Sequence, residues 1–441
     1  MSRGGSGGFL PRLGLSPPAT EPYSAAMKKS HKVALICLSS IVAVYLVVLL
    51  VAGLSPSVND SDLRLSRQAL APEENGFPAL QSAASKMWWP EAKRPELSQL
   101  ASETNWNAAL ATEVLAQNQP ALAALDAALA TPGFQVPEFR WDDKLSYLAD
   151  FRQLAQLAVI RGNVLFRQGQ EQKAIEQALN IIRLGNRIED ARGALIHYLV
   201  GAAVKVQGLT QLRRWAGRAH LTPPQLAELA AQVKTTSDDG DALANSLKVE
   251  YQCAVQNLAD LRAGKLNNQD TAPLITWKFL PVFNQGKTKR LYADATRAII
   301  AALAVPYSEA KLPNLSATRP SPAQLILSGN LAGQVFFYMT MPALEGAAKS
   351  QARGRVQVEA TRAILALRAY QLKHGRLPDD LAALSPEFLD AVPTDRFNGQ
   401  PLRYAPERKL IYSIGENLHD DNGEAKGERD VRLDYPFSFD F

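Results

Sequence analysis

The sequence predicts a mainly α-helical chain. A single transmembrane helix lies near the N-terminus, an all-α middle domain of helical hairpins follows, and a small α+β module closes the chain with one long helix and a short antiparallel sheet. Three observations predict this. Residues 33–54 contain no formally charged side chain. From residue 98 to 263 the text is rich in alanine and leucine, with apolar residues recurring three and four apart, the spacing of one helix face. Strand-type text comes only after residue 400, where Leu402-Arg403-Tyr404 and Leu410-Ile411-Tyr412-Ser413-Ile414 flank the turn Pro406-Glu407-Arg408-Lys409. The chain thus divides into a disordered cytoplasmic segment (1–26), an anchor (27–55), a helical domain (56–345) and the α+β module (346–441).

Composition narrows the function classes. The chain has 441 residues, 46% apolar and 21% charged, with 27 Gly and 27 Pro, which excludes collagen-like, wholly disordered and multi-span membrane classes. Its two cysteines, Cys37 and Cys253, exclude a disulfide framework and a multi-cysteine zinc site. The formal charge of +5 is divided between the ends: residues 1–32 carry a net +4, and residues 415–441 carry eight acids against three bases. No basic stripe marks the part between, so nucleic acid is not an expected partner.

The elements follow in order. Residues 1–26 are rich in Gly, Ser and Pro without an apolar period and read as disordered; Met27-Lys28-Lys29 has the form of an ordinary start. The run Val33–Leu54 would extend about 33 Å as a helix, enough for a hydrocarbon core of about 30 Å. Lys28, Lys29 and Lys32 precede it and Asp60 and Asp62 follow, so the positive-inside bias puts the N-terminus in the cytoplasm and the bulk of the chain outside. The competing reading is a cleaved secretory signal, with Val51-Ala52-Gly53 offering small residues for cleavage after Gly53. After a polar linker, residues 98–131 offer two helices broken at Gln119-Pro120. Residues 145–168 place Leu154, Ala158, Gly162 and Leu165 on one face, Gln168-Gly169-Gln170 turns, and Ile175, Ala178, Leu179 and Ile182 make the return stripe of an antiparallel pair. That pair resembles a tetratricopeptide unit, but at the 34-residue period of that repeat Ile196 and Gly208 fall under Gly162 and Ala174, so the pattern does not recur.

Thr222-Pro223-Pro224-Gln225 is a helix start with a capping box. Helices are expected around 192–217, 223–234, 241–263 and 288–304. Pro320–Leu344 carries no charge, yet its Gln, Ser, Asn, Thr and Gly content favours a buried or interfacial helix over a second span. A long helix is expected from about Glu345 to His374, ended by a left-handed Gly375 and by Pro378. Val431, Leu433 and Tyr435 alternate as a third strand beyond an acidic loop.

The C-terminal text resembles the head module of the major pseudopilins of type II secretion. The matching residues are Ala363-x-x-Ala366-Leu367-x-x-Tyr370, His374-Gly375-Arg376-Leu377-Pro378-x-x-Leu381, Val392-Pro393-x-Asp395-x-x-Asn398-Gly399-x-Pro401-Leu402-x-Tyr404, and Tyr412-Ser413-Ile414-Gly415. The likeness spans residues 356–435 and implies a helix packed on a small antiparallel sheet with a calcium-stabilised loop. The whole layout also resembles membrane-anchored bacterial envelope proteins, which implies the cytoplasmic membrane as the location. Carried onto this sequence, the family's calcium loop opens at Ser413-x-Gly415-x-Asn417, passes Asp420 and Asp421, and closes at Glu428-x-Asp430, so Asn417, Asp420, Asp421, Glu428 and Asp430 are the candidate ligands. Calcium takes six to eight oxygens, which a glycine-containing acidic loop can supply. The alternative is a solvated turn around Asp420-Asp421-Asn422-Gly423.

Other constellations carry less. Gly286-Lys287-Thr288 has the end of a phosphate loop without its first glycine, and the five histidines lack metal-ligand spacing. Cys253 reads as a small buried hydrophobe, Trp88-Trp89-Pro90 as a packing anchor, and Arg213-Arg214-x-x-x-Arg218 as helix-surface charge. No catalytic residue or small-molecule substrate is identified. The expected function is that of a membrane-anchored scaffold or interaction protein with protein partners in the cell envelope. The alternatives are an accessory component of a type II secretion or pilus-like machine, and an envelope enzyme with a site among the middle helices.

Overall fold

The computed structural model describes residues 37–44, 46–47, 50, 54–65, 69–138, 140, 143–237, 240–263, 283–312, 320–321, 324–325, 328–426 and 433–441. It is mainly helical, with a three-stranded antiparallel sheet near the C-terminus. The described residues between 37 and 50 are helical and Leu54 is described outside any element, while the other residues of the 33–54 run lie outside the description. Among the described residues no helix is long and apolar enough to cross a membrane.

Four short helices open the body: α1 (Phe77–Ser85), α2 (Arg94–Ser102), α3 (Ala108–Gln117) and α4 (Gln119–Ala130). Three of them carry proline in the first turn, where its missing N–H costs nothing; α3 is capped by Asn107, whose side chain accepts the Leu110 N–H. The break expected at Gln119-Pro120 falls at Asn118, a buried residue that accepts the Trp88 N–H and donates to the Trp88 carbonyl, pinning the Trp88-Trp89 segment.

The expected antiparallel pair is α5 (Tyr147–Arg167) and α6 (Glu171–Glu189), joined through a left-handed Gly169. Helix α7 (Leu195–Ala216) then lies unusually close along α6. A Cβ on Gly185 would sit 2.4 Å from the Lys205 amide nitrogen, and one on Gly201 would sit 2.6 Å from the Glu189 nitrogen, so the two backbones touch. Helix α8 (Pro223–Thr236) starts with the capping box read from Thr222 and Gln225. Helices α9 (Ala242–Arg262) and α10 (Gln285–Ala302) follow, the latter capped by Asn284.

The long helix α11 runs from Leu331 to His374, so the expected start at Glu345 is corrected upstream by 14 residues. The reason is burial. Phe337, Met341, Leu344 and Ala347 share a core with Tyr251, Tyr292 and Ile299 of α9 and α10, and this packing outweighs the backbone hydrogen bond that Pro342 removes. The uncharged stretch and the long helix are therefore one element, and residues 345 and 346 lie within it. The helix ends where expected, with Gly375 left-handed and its N–H donating to the Gln371 carbonyl at 2.8 Å.

Beyond it come β1 (Arg403–Ala405), β2 (Leu410–Ser413) and β3 (Tyr435–Ser438), in the order β1-β2-β3, with Tyr404 opposite Ile411 and Ile411 opposite Phe437. The third strand lies later than the alternation from Val431 indicated. Pro436 stands on the edge strand opposite Tyr412, a position that does not require its missing N–H.

Among the described residues three hydrophobic cores result, and α7 contributes to each. One joins α1–α5 to Ile181, Leu184, Val200 and Val204. A second joins Leu63, the start of α7, α9, α10 and the first half of α11. The third joins α6, the end of α7, α8, the second half of α11 and the sheet, with Trp215, Phe397, Ile411 and Phe437 inside.

Candidate functional site

The acidic loop leaves β2 at Ser413 and returns through Asp434 into β3. Its first turn is set by Gly415, which is left-handed; a Cβ there would sit 2.2 Å from the Leu433 carbonyl oxygen, so only glycine lets the returning chain pass. Glu416 ties the loop to α11 by ion pairs with Arg353 and Lys349, and accepts the Tyr435 hydroxyl at 2.8 Å. The return is closed by the Asp434 N–H, which donates to the Glu424 carbonyl at 2.8 Å.

Of the predicted ligands, the described residues bring Asn417 and Asp421 together and give Asp420 other partners. Asn417 donates its side-chain N–H to Asp421 Oδ2 at 2.7 Å, and Asp421 Oδ1 lies 3.2 Å from His419 Nδ1. Asp420 faces the other way: it accepts Arg403 Nε and the Tyr412 hydroxyl, each at 3.1 Å, and the Asn422 N–H at 3.0 Å. Glu428 and Asp430 lie outside the described residues. Among the described residues no group of three or more acidic, histidine or cysteine side chains is placed to hold a metal ion.

The structure adds one carboxylate that the motif does not contain. Asp434 is 2% exposed; its Oδ2 accepts the Asp421 and Gly423 N–H groups at 3.1 and 2.6 Å, while its Oδ1 has no hydrogen-bond partner. Burial pushes its carboxyl up from the usual range, with the charges of Asp421 and Asp420 adding to the shift. Among the described carboxylates of this loop, Asp434 keeps a buried oxygen, Oδ1, without a hydrogen-bond partner, whereas Asp420 and Asp421 would each have to exchange protein donors for a cation. Sequence reading missed Asp434 because it stands beyond the acid-x-acid ending that the resemblance supplied.

A second set of polar groups lies inside the helical body. Lys205 and Glu189 form a buried pair at 2.5 Å across the α6–α7 contact, and Lys205 also reaches the Asn186 side chain and the Ser237 carbonyl. Glu250 accepts the Leu195 N–H at 2.8 Å, so it caps the start of α7, and burial raises its pKa. Buried His197 meets the Tyr147 hydroxyl at 2.8 Å, and burial pushes that phenol up to about 12. These groups are taken up by one another and by helix termini. Cys253, expected to be buried, is half-exposed on α9. The basic run expected on the helix surface is in part as read: Arg218 is exposed, whereas Arg213 and Arg214 are half-buried and bonded to other helices. Arg213 reaches Thr361 and Gln357 of α11, and Arg214, Arg218 and Arg167 close on Glu103, the left-handed C-cap of α2.

No protein-family model matches the chain, and neither a curated protein nor a solved structure matches it.

Proposed function

We propose that this chain is a membrane-anchored envelope scaffold, a single-span protein that holds its helical body and pseudopilin-like end outside the cytoplasmic membrane for protein partners. The observation that carries the reading is the charge-free run 33–54 between Lys28, Lys29 and Lys32 on one side and Asp60 and Asp62 on the other. The attachment of the segment just after that run supports it. Asn284 donates to the Leu54 carbonyl at 3.2 Å, Lys289 pairs with Asp60 at 2.9 Å, and Arg297 pairs with Asp62 at 2.7 Å, so the chain is docked on α10 from the last residue of the run onward. A body so attached would be held close to the bilayer. The test is alkaline carbonate extraction of membranes with protease added to the outer side. The chain should stay in the pellet with its body digested; release into the supernatant would overturn the anchor, and a product ending its loss at Gly53 would identify a cleaved signal.

The order of the C-terminal motifs favours a second reading, an accessory of a type II secretion or pilus-like machine. A pull-down from crosslinked membranes that recovers no secretion component would remove it. Calcium belongs to this end of the chain in either reading. With calcium at the acidic loop, calcium should raise and EDTA lower the melting temperature of the full chain, and Asp434→Asn should abolish the difference. An identical melt in both buffers would leave the loop a hydrogen-bonded turn.

A further inference from the structure

We propose that the cleft between α4, α5 and α6 is a binding site for a small organic acid, held by its carboxylate. It is independent of the membrane-anchored reading and of the acidic loop. The cleft has a volume of about 440 Å³, within the range of roughly 300–1,000 Å³ common to small-molecule sites. Leu129 of α4 and Leu165 of α5 give it an apolar wall, and Lys173, Gln177, Asn180 and Arg183 line it from α6. Spacings of four, three and three put these polar residues on one face of that helix.

Unsatisfied donors point to an anion. Gln177 is 5% exposed, and its Nε2 is buried without a hydrogen-bond partner. A buried N–H left unbonded is unfavourable to the fold by itself, and an acid oxygen in the cleft supplies the missing acceptor. Arg183 donates to Asn180 Oδ1 at 2.5 Å, and among the described residues no carboxylate pairs with it. That bond uses the oxygen of Asn180, so its amide N–H groups are left to face another acceptor. Four residues on, Arg187 donates to the Ala128 and Leu129 carbonyls at 3.3 and 2.8 Å. Burial, and next the charge of Arg183, lower the Arg187 pKa from its ordinary value, so the two guanidinium groups repel one another with no acid between them.

Charge selects the ligand. Of the two acids on the cleft, Asp126 has both oxygens taken by Arg161, each at 2.8 Å. Glu176 stands three residues after Lys173 on the same helix, a spacing at which opposite charges offset one another. Arg187 is set against the negative end of α4. Arg183 is then the cleft charge left without a counterpart among the described residues, which suits one negative charge; a phosphate dianion would carry a second charge against Glu176. A guanidinium and amide groups are planar donors that match a planar carboxylate. Leu129 and Leu165 suit an aliphatic remainder.

The test titrates hexanoate into the full chain in dodecyl maltoside micelles by calorimetry, with hexanamide as the neutral isostere and inorganic phosphate as the competing anion. Hexanoate should saturate one site, and both controls should bind more weakly. Arg183→Gln should weaken hexanoate about tenfold, the loss expected when a charge-assisted hydrogen bond is removed. Arg218→Gln, a basic residue outside the cleft, should leave the affinity unchanged. Gln177→Leu supplies a readout that a packing residue would not give. It removes the unbonded N–H, so the ligand-free chain should melt higher while hexanoate binds more weakly. Hexanoate binding no tighter than hexanamide, or untouched by both cleft substitutions, would overturn the site. Phosphate binding as tightly as hexanoate would overturn its assignment to a carboxylate. Gln177→Leu keeps the test decisive if Arg183→Gln disturbs folding.

Discussion

Asp395 shows how one buried carboxylate organises the end of the chain. Its Oδ1 accepts the Phe397 N–H and the Ser413 hydroxyl, each at 2.9 Å, and its Oδ2 accepts the Ile414 N–H at 2.9 Å, so it ties the turn before β1 to the end of β2. Burial pushes its carboxyl up, while these three donors oppose the shift. An amide is nearly the same shape but turns an N–H toward one of the donors, so Asp395→Asn should destabilise the protein by about 1–3 kcal/mol, read from a urea midpoint. An unchanged midpoint would show that the hydrogen bonds contribute little. Asp390 behaves in the opposite sense. Hydrogen bonds from Lys234 of α8 and Arg362 of α11 hold its pKa at about 2, against an ordinary 3.8. A depressed acid stabilises the fold above its unfolded pKa, and that contribution is lost as pH falls from 3.8 toward 2. Melts of the wild type should therefore weaken across that window, and Asp390→Asn should flatten that part of the loss. Asp390 is half-exposed, so the effect is small and reduced by salt. Asp395 was visible in the sequence only as a letter in a Pro-x-Asp motif. Its partners lie up to 19 residues away, and no local pattern names them.

At the scale of elements, the features legible in sequence are those fixed within a few residues. The capping box at Thr222 and Gln225, the left-handed stop at Gly375 and the turn at Gly169 form as read, because each is decided by its own neighbours. The true start of α11 and the position of β3 were not legible. The first depends on Tyr292 and Tyr251 covering an uncharged stretch, and the second on Pro436 falling at a sheet edge. The close α6–α7 contact was hidden for the same reason, since Gly185, Gly201 and Gly208 look like helix weaknesses until a second helix is laid against them. Taken alone, Gly201→Ala should help a helix by about 1 kcal/mol. In this position the new Cβ would meet Gly185 and Glu189 backbone atoms at 2.6 Å, so the helices must separate around the buried Lys205–Glu189 pair. Overpacking of this kind costs about 1–3 kcal/mol, and the expected outcome is a lower melting temperature. A higher one would mean that α6 and α7 are not held at this distance.

The whole molecule differs from a head hung on a helical stalk. The sheet, the second half of α11 and helices α6–α8 bury their side chains in one core, where Trp215 of α7, Val233 of α8, Leu367 of α11 and Ile411 of β2 all have essentially no exposure. The C-terminal text therefore describes one wall of a larger structure, and the sequence could not show this because the other side of the shared core, with Trp215 and Val233, comes from text far upstream of it. Partners that bind the sheet would then act on the helical body as well, which bears directly on a scaffold. Ile411→Ala tests the coupling: removing a fully buried aliphatic side chain costs about 2–5 kcal/mol. If the core is cooperative, amide hydrogen exchange should quicken in α8 and in the second half of α11 together with the strands, and unfolding should remain a single transition for this part of the chain. Loss of protection in residues 403–438 alone, with α8 unchanged, would show a sheet that opens by itself. The joint outcome would make the outer sheet and the inner helices one mechanical unit, so that a load applied at β3 reaches α7, and through α7 the other two cores.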